Sequence, residues 1–263
     1  MIDTHCHLTY QGLHERVDAV VAAAYAAGVD RMITVGTTPE DTERAVALAQ
    51  QYDGVFATLG LHPHYAMEVS DRAGLISAFR RLVADCSIVA LGEMGLDRHY
   101  DDPPLSEQQR ALEWQLELAA DYPDLPIIIH NREATEQTLE VLGRSGLRPE
   151  RFVFHCFTGS NGELDAVLDF GAMVSFTGVV TFSGARELAE ATARVPLDRI
   201  MVETDAPYLT PEPYRKVRPN EPQYVREVAR TMATARGMDE AAFIEAVDAN
   251  AIRFFGLPGG TQA

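Results

Sequence analysis

Lysine is nearly missing from this chain: Lys216 is the only one among twenty-two basic residues, and the formal net charge is −17. A chain this acidic is repelled by bulk nucleic acid, which counts against a simple electrostatic DNA binder. It leaves room for an enzyme that meets phosphate through bound cations, because metal ions supply the local positive charge. Cysteine is also scarce. Cys6, Cys86 and Cys156 are an odd set with no CxxC pair, which argues against a disulfide framework and for a reducing, cytoplasmic compartment. No apolar run approaches membrane-spanning length, so no membrane association is expected. Asp3 lies at the start and no Lys or Arg precedes Arg16, so no secretory leader is expected either. A GxGxxG turn and a Walker loop are both missing, which weakens any nucleotide-fold reading. There is no linker, no low-complexity tract and no sign of an oligomer interface.

What is present is alternation. Eight short apolar runs read as strands: "MIDTHCH", "RMITVGT", "GVFATLGLHP", "SIVALGEMGLD", "PIIIHNREA", "RFVFHCFTG", "AMVSFTGVV" and "RIMVETDAPYL". They are rich in Val and Ile, and several end in Gly or a Thr/Gly pair. Between them lie stretches with helical spacing, at residues 14–29, 38–52, 106–122, 161–171, 184–195, 221–237 and 238–256. The second opens on Thr38, Pro39 and acids, a good helix start, and the third is expected to begin the same way from Ser106. Eight strand–helix units in a chain of 263 residues predict an α/β fold, a (β/α)8 TIM-type barrel. Residues 1–257 are expected to form one hydrolase barrel, and 258–263 a flexible tail.

In such a barrel the chemistry sits at the C-terminal ends of the strands. The predicted strand ends carry His5 and His7 (first), Glu93 (fourth), His130 (fifth), His155 (sixth) and Asp205 (eighth). A lone histidine at a strand end is more often an ordinary hydrogen-bonded residue. Six metal-capable side chains at one face are different, because isolated polar groups on an apolar barrel are costly unless they share a partner. Residues i and i+2 point the same way, so His5 and His7 project together with Asp3 below, and Cys6 and Cys156 point away into packing. The first and eighth strands are neighbours in a closed barrel, so His5, His7 and Asp205 are expected to share one ion. His130 and His155 are expected to share a second. Lys216 lies in a loop after the eighth strand and is badly placed to bridge them as a carbamate, which leaves Glu93 as the bridge. Imidazole with carboxylate is compatible with Zn2+, Mn2+ or Mg2+, and a pair of such ions clamps an in-line displacement at phosphorus.

Taken together, "DTHCHL", "GLHPH", "GEMGLD", "HNREA", "HCFTGS", "ETDAPYLTP", "RPNEP" and "NAIRFFGL" resemble the TatD-type deoxyribonucleases, metal-dependent hydrolases of the amidohydrolase-like barrels. The resemblance runs almost end to end. It implies metal-dependent nuclease activity on DNA, commonly 3′–5′ exonuclease activity with Mg2+, and it maps the family's ligands onto the same six residues. The expected substrate is DNA, short or single-stranded, cleaved by a two-metal mechanism. Asp205 would orient the attacking water and accept its proton, while Glu93 bridges. His62 and His64 are candidate substrate contacts, with His64 the better one. Arg132 could hold a phosphate bidentately, and Arg215, Lys216 and Arg218 form a basic cluster near the site. Asp97 and Glu203 are expected to support the ligands. One departure is the run "YRKVRPNEP", where the family carries Arg-Gly-Lys before its NEP; that puts the loop's phosphate grip in question. Open alternatives are an amide, lactone or ester hydrolase on the same barrel, an aminoacyl-tRNA deacylase, and a non-catalytic scaffold.

Overall fold

The computed structural model describes residues 1–67, 72–85 and 87–258. The expectations for Cys86 and for residues 259–263 lie outside these. Eight strands are present: β1 (Ile2–Cys6), β2 (Arg31–Thr34), β3 (Val55–Leu59), β4 (Ile88–Asp97), β5 (Ile127–Arg132), β6 (Phe152–Phe154), β7 (Met173–Phe176) and β8 (Ile200–Val202). They pair in parallel in chain order. β1 and β8 meet at the far edge: Thr4 Oγ1 donates to Val202 O (3.0 Å), and beyond the strands Asp205 N donates to His5 O (2.9 Å) and His7 N to Ala206 O (2.7 Å). The barrel thus closes where two candidate ligands enter it.

The helices that follow are α1 (Val17–Ala26), α2 (Pro39–Gln51), α3 (Arg72–Leu82), α4 (Leu105–Ala119), α5 (Thr135–Arg144), α6 (Asn161–Phe170), α7 (Arg186–Ala191), α8 (Val225–Arg236) and α9 (Glu240–Phe255). Thr38 caps α2 as its sequence suggests, accepting from Asp41 N at 3.1 Å. α4 differs from expectation. It starts at Leu105 behind Pro104 without a side-chain cap, so Ser106 lies inside the first turn.

Each layer of the barrel has its own core. One cluster takes a residue from every strand: Ile2, Ile33, Phe56, Val89, Ile128, Val153, Met173 and Met201. Strand neighbours alternate faces, so this set fills the barrel interior. Ala251 and Phe255 of α9 join it from below. Asn250 fixes that plug, donating to Leu197 O (2.7 Å) and Ile200 O (2.9 Å). The larger cluster lies between strands and helices and includes Cys6, Trp114 and Phe79, so Cys6 faces the helices, opposite its neighbour His5 as expected; a register shift between Asp3 and Cys6 separates it from the face of Ile2. With the bottom plugged, the interior opens at the C-terminal rim.

Candidate active site

A cavity of about 770 Å3 opens at that rim, with His7, Glu93, His130, His155 and Asp205 in its wall. That is the size range of pockets that hold a small organic ligand.

Glu93 stands at its centre because of a β-bulge. Between Leu91 and Met94 three steps of β4 oppose two of β5, from Ile127 to Ile129, and bulges of this kind re-aim a side chain. The peptide joining Gly92 to Glu93 is cis. Two glycines make room for the arrangement. A Cβ on Gly60 would lie 2.3 Å from Gly92 C and 2.6 Å from Glu93 N, and one on Gly95 would lie 1.9 Å from His130 O. These are the glycines of "GLHPH" and "GEMGLD". β4 does not end at Glu93, as its sequence suggested. It continues to Asp97, and β5 continues to Arg132, pairing Gly95 with His130 and Asp97 with Arg132. This two-stranded extension stands above the rim as one wall of the cavity.

The two oxygens of Glu93 face different imidazole groups. Oε2 lies 3.4 Å from His5 Nε2 and 4.0 Å from His7 Nε2. Oε1 lies 2.7 Å from both His130 Nδ1 and His155 Nε2, and 3.4 Å from His62 Nε2. Asp205 completes the first group, with Oδ1 3.4 Å from His7 Nε2 and 3.8 Å from His5 Nε2. It reaches in from beyond β8 at φ 53. That turn is held by Thr204, whose N–H and hydroxyl donate to Asp3 (2.8 and 2.6 Å), and by Asn220 of the NEP run, which donates to Thr204 O and Tyr208 O. The six residues singled out by position are therefore brought together, in the two expected groups.

The set fits divalent cations. His5 Nε2, which faces Glu93 and Asp205, is buried without a hydrogen-bond partner, an arrangement proteins avoid unless another ligand satisfies the group. Donor atoms about 2.1 Å from one tetrahedral cation lie roughly 3.4 Å apart, and the separations within the His5–His7–Glu93–Asp205 group are of that order. At the other group His130 Nδ1 is hydrogen-bonded to Glu93 Oε1 at 2.7 Å and His155 Nε2 lies equally close, so a cation there would compete with a proton for the same atoms.

His62 lines the cavity and also belongs to a metal-capable cluster with Glu93 and His130. His64 is a rim residue, its Nε2 3.1 Å from Asp97 Oδ2, and the same oxygen receives His130 Nε2 at 2.9 Å. Asp97 thus orients both rings. Glu203 accepts from Cys156 N (2.6 Å) and Ser175 Oγ (2.6 Å) and stands 3.4 Å from His155 Nδ1. Cys156 was expected to point away from the site but lies in the cavity wall. β6 stops at Phe154 and Cys156 adopts φ 47, so strand alternation no longer applies.

Arg132 lines the cavity, and its guanidinium lies 5.5 Å from the ring centre of Tyr100. It does not pair with Glu133, which binds His99 instead at 2.8 Å. Arg215 packs 3.7 Å over Phe182 and donates to Thr210 O, while Arg218 donates to Thr210 Oγ1. The structure does not bring Arg215, Lys216 or Arg218 into the cavity wall. The guanidinium groups of Arg215 and Arg218 brace their own loop, a use that a run of basic letters does not reveal. The tyrosines of the wall, Tyr10, Tyr65, Tyr100 and Tyr208, went unread in the sequence. The signal was their place just after "HCHL", "HPH", "GLDRH" and "TDAP".

Burial works against charge throughout the site, but opposite partners outweigh it for most groups. Burial would lower His155, His130 and His7, yet the carboxylates of Glu93, Glu203, Asp97 and Asp205 raise all three above the ordinary histidine value. Burial would raise Glu93 and Asp205, yet their histidines hold both below the carboxylate range. Only His5 and His62 follow burial downward, His62 to about 4.

These shifts predict a pH-dependent response to metal. A histidine raised in the fold stabilises it below about pH 6.5, and that stability is lost as pH rises through the folded value. The depressed carboxylates stabilise above about pH 4 and lose their effect as pH falls through their folded values. The metal-free protein should therefore weaken from neutral pH upward. Burial pushes Asp3 up to about 8, which adds to that slope independently of metal. A cation binds the neutral imidazoles and restores the lost attraction. Thermal unfolding with and without Mn2+ should show a larger rise in Tm at pH 8.5 than at pH 6; an equal rise at both would count against imidazole ligation.

A family model described as TatD related DNase matches residues 2–256. The chain belongs to the TatD family. Among curated TatD relatives, the "uncharacterized metal-dependent hydrolase YabD" of Bacillus subtilis is 36% identical, over 97% of this chain and 98% of its own length. The "3′-5′ ssDNA/RNA exonuclease TatD" of Escherichia coli is 35% identical, over 98% and 99%. Among solved structures, the TatD homologue YJJV of Escherichia coli superposes with a TM-score of 0.90 at 31% identity, over 98% of both chains. An organophosphorus hydrolase from Deinococcus radiodurans shares the fold, with a TM-score of 0.64 at 14% identity. This chain is thus a metal-dependent hydrolase of the TatD family on an eight-stranded α/β barrel.

Proposed function

We propose that the enzyme hydrolyses phosphodiester bonds of single-stranded DNA from the 3′ end, using two divalent cations, with Mg2+ the physiological pair. The observation that carries this reading is the division of Glu93 between two imidazole groups. Such a carboxylate can hold two cations side by side, the arrangement suited to in-line displacement at phosphorus. Its relatives named as 3′-5′ ssDNA/RNA exonucleases supply the substrate class.

His5, His7 and Asp205 would hold one cation, His130 and His155 the other, with Glu93 common to both and His62 adding a donor on the second side. When bound, the cations supply positive charge that neutralises the developing charge on the nonbridging phosphate oxygens and eases deprotonation of an attacking water. Asp205 is ionised at neutral pH, orients that water and accepts its proton. Arg132 faces the cavity without an ion-pair partner among the described residues, and its planar fork suits a phosphate. Asp97 and Glu203 hold His130 and His155 in place.

The test is a single-stranded oligonucleotide labelled at its 5′ end, incubated with Mg2+, Mn2+, Zn2+ or chelator. The expected result is a metal-dependent ladder shortening from the 3′ end. Silence with every metal, alongside turnover of small amides or esters, would move the enzyme to carbonyl chemistry.

A further inference from the structure

The floor of the cavity is built of histidine and carboxylate, but its upper wall is aromatic. Tyr208 and Tyr100 are 53% and 51% exposed, and both line the cavity. Tyr208 follows β8 and stands edge-on to Tyr10 at 6.4 Å, which in turn stacks on His7 at 4.5 Å. Tyr100 follows β4 and stands edge-on to His64 at 5.1 Å, within 5.5 Å of the Arg132 guanidinium. Strands β8 and β4 lie four places apart in an eight-stranded order. The two rings therefore flank the metal-binding floor from opposite sides of the mouth.

Beyond the phosphate that bound cations would meet, the protein's own charge does not explain how a polyanion would be held here. The chain carries −17, the wall includes Glu93, Asp97, Asp102 and Asp205, and Arg132 is the only Arg or Lys among its described lining residues. Backbone neutralisation, the usual source of nucleic-acid affinity, is nearly missing. What the wall offers instead is exposed ring faces, and stacking on aromatic side chains is sequence-tolerant because every base has a π-face.

We propose that Tyr208 and Tyr100 are stacking platforms for the bases on either side of the scissile phosphate, and that they are what restricts this enzyme to unpaired ends. The inference rests on the phosphodiesterase reading above. A base inside a duplex has both faces covered by its neighbours and must leave the stack to present one. At a paired end the terminal base keeps one open face but the base behind it has none, so one platform is forfeited and no moving lid is needed to disfavour such an end.

The experiment compares two single-stranded oligonucleotides, one intact and one abasic at its last two 3′ positions, with the Mg2+-loaded enzyme. Wild type should show a KM about 30- to 10^4-fold higher for the abasic strand, the range expected for losing base–aromatic stacking at two positions. In Tyr208→Ala and Tyr100→Ala that ratio should shrink toward one, while Tyr208→Phe and Tyr100→Phe keep it. A merely structural tyrosine would raise both KM values and leave the ratio intact, which would overturn the proposal. Equal KM values for the two strands in wild type would overturn it as well, with the nuclease reading still standing. Failure to cleave the intact strand would remove the nuclease reading, and this proposal with it.

Discussion

Glu93→Gln should lower turnover by about 10^3-fold or more, the loss expected when several kcal/mol of transition-state charge stabilisation disappear. Glu93 is 2% exposed and lies within 4.0 Å of five histidines: His5, His7, His62, His130 and His155. Glutamine keeps its length and shape but offers one oxygen and one NH2. Whichever group the NH2 faces loses an anionic donor, and a cation placed there meets a donor hydrogen instead. The loss should therefore be unequal, with one cation retained weakly and the other not at all. Calorimetric titration with Mn2+ should find two ions for wild type and fewer for the variant, with an unchanged circular dichroism spectrum. Full stoichiometry and near-normal turnover in Glu93→Gln would remove the bridging role.

Asp205→Asn should lower kcat by about 10^2- to 10^4-fold, the usual size of a general-base contribution. Asparagine is the informative replacement for a backbone reason. Asp205 sits at φ 53, a left-handed conformation that asparagine tolerates far better than alanine. The Thr204–Asp3 and Asn220 contacts that hold the turn do not involve the Asp205 side chain, so the loop should survive. The amide oxygen can still face His5 and His7, but it cannot take a proton from water. A kcat collapse with retained oligonucleotide binding is the expected pattern. Turnover near wild type would mean that another group deprotonates the water.

The sequence was most legible where burial sets the pattern. Each of the eight strands falls inside one of the eight apolar runs, because a barrel strand is covered on both faces and reads as continuous Val, Ile and Leu. The six convergent side chains were legible for the same reason, since polar letters at the ends of such runs stand out. Two helices escaped. α3 carries Leu75, Ile76, Phe79 and Leu82 at helical spacing, but Gly74 at its start weakens the propensity signal. α5 begins at Thr135, directly beyond the run ending at Ala134, with little turn signal to separate them. Parity succeeded for Cys6 and failed for Cys156, because it holds only while the backbone stays extended. The bulge at Glu93 and the β4–β5 extension are products of register, which no single run encodes. The basic cluster at 215–218 read as a phosphate grip, but arginine braces loops as readily as it binds anions.

The central claim is that Glu93 divides the site into two cation positions. A crystal soaked in Mn2+ and measured at the manganese absorption edge tests it directly. Two anomalous peaks should flank the Glu93 carboxylate about 3.5–4 Å apart, one bounded by His5, His7 and Asp205 and the other by His130 and His155. A single peak, or a pair that leaves Glu93 uncoordinated, would contradict the account.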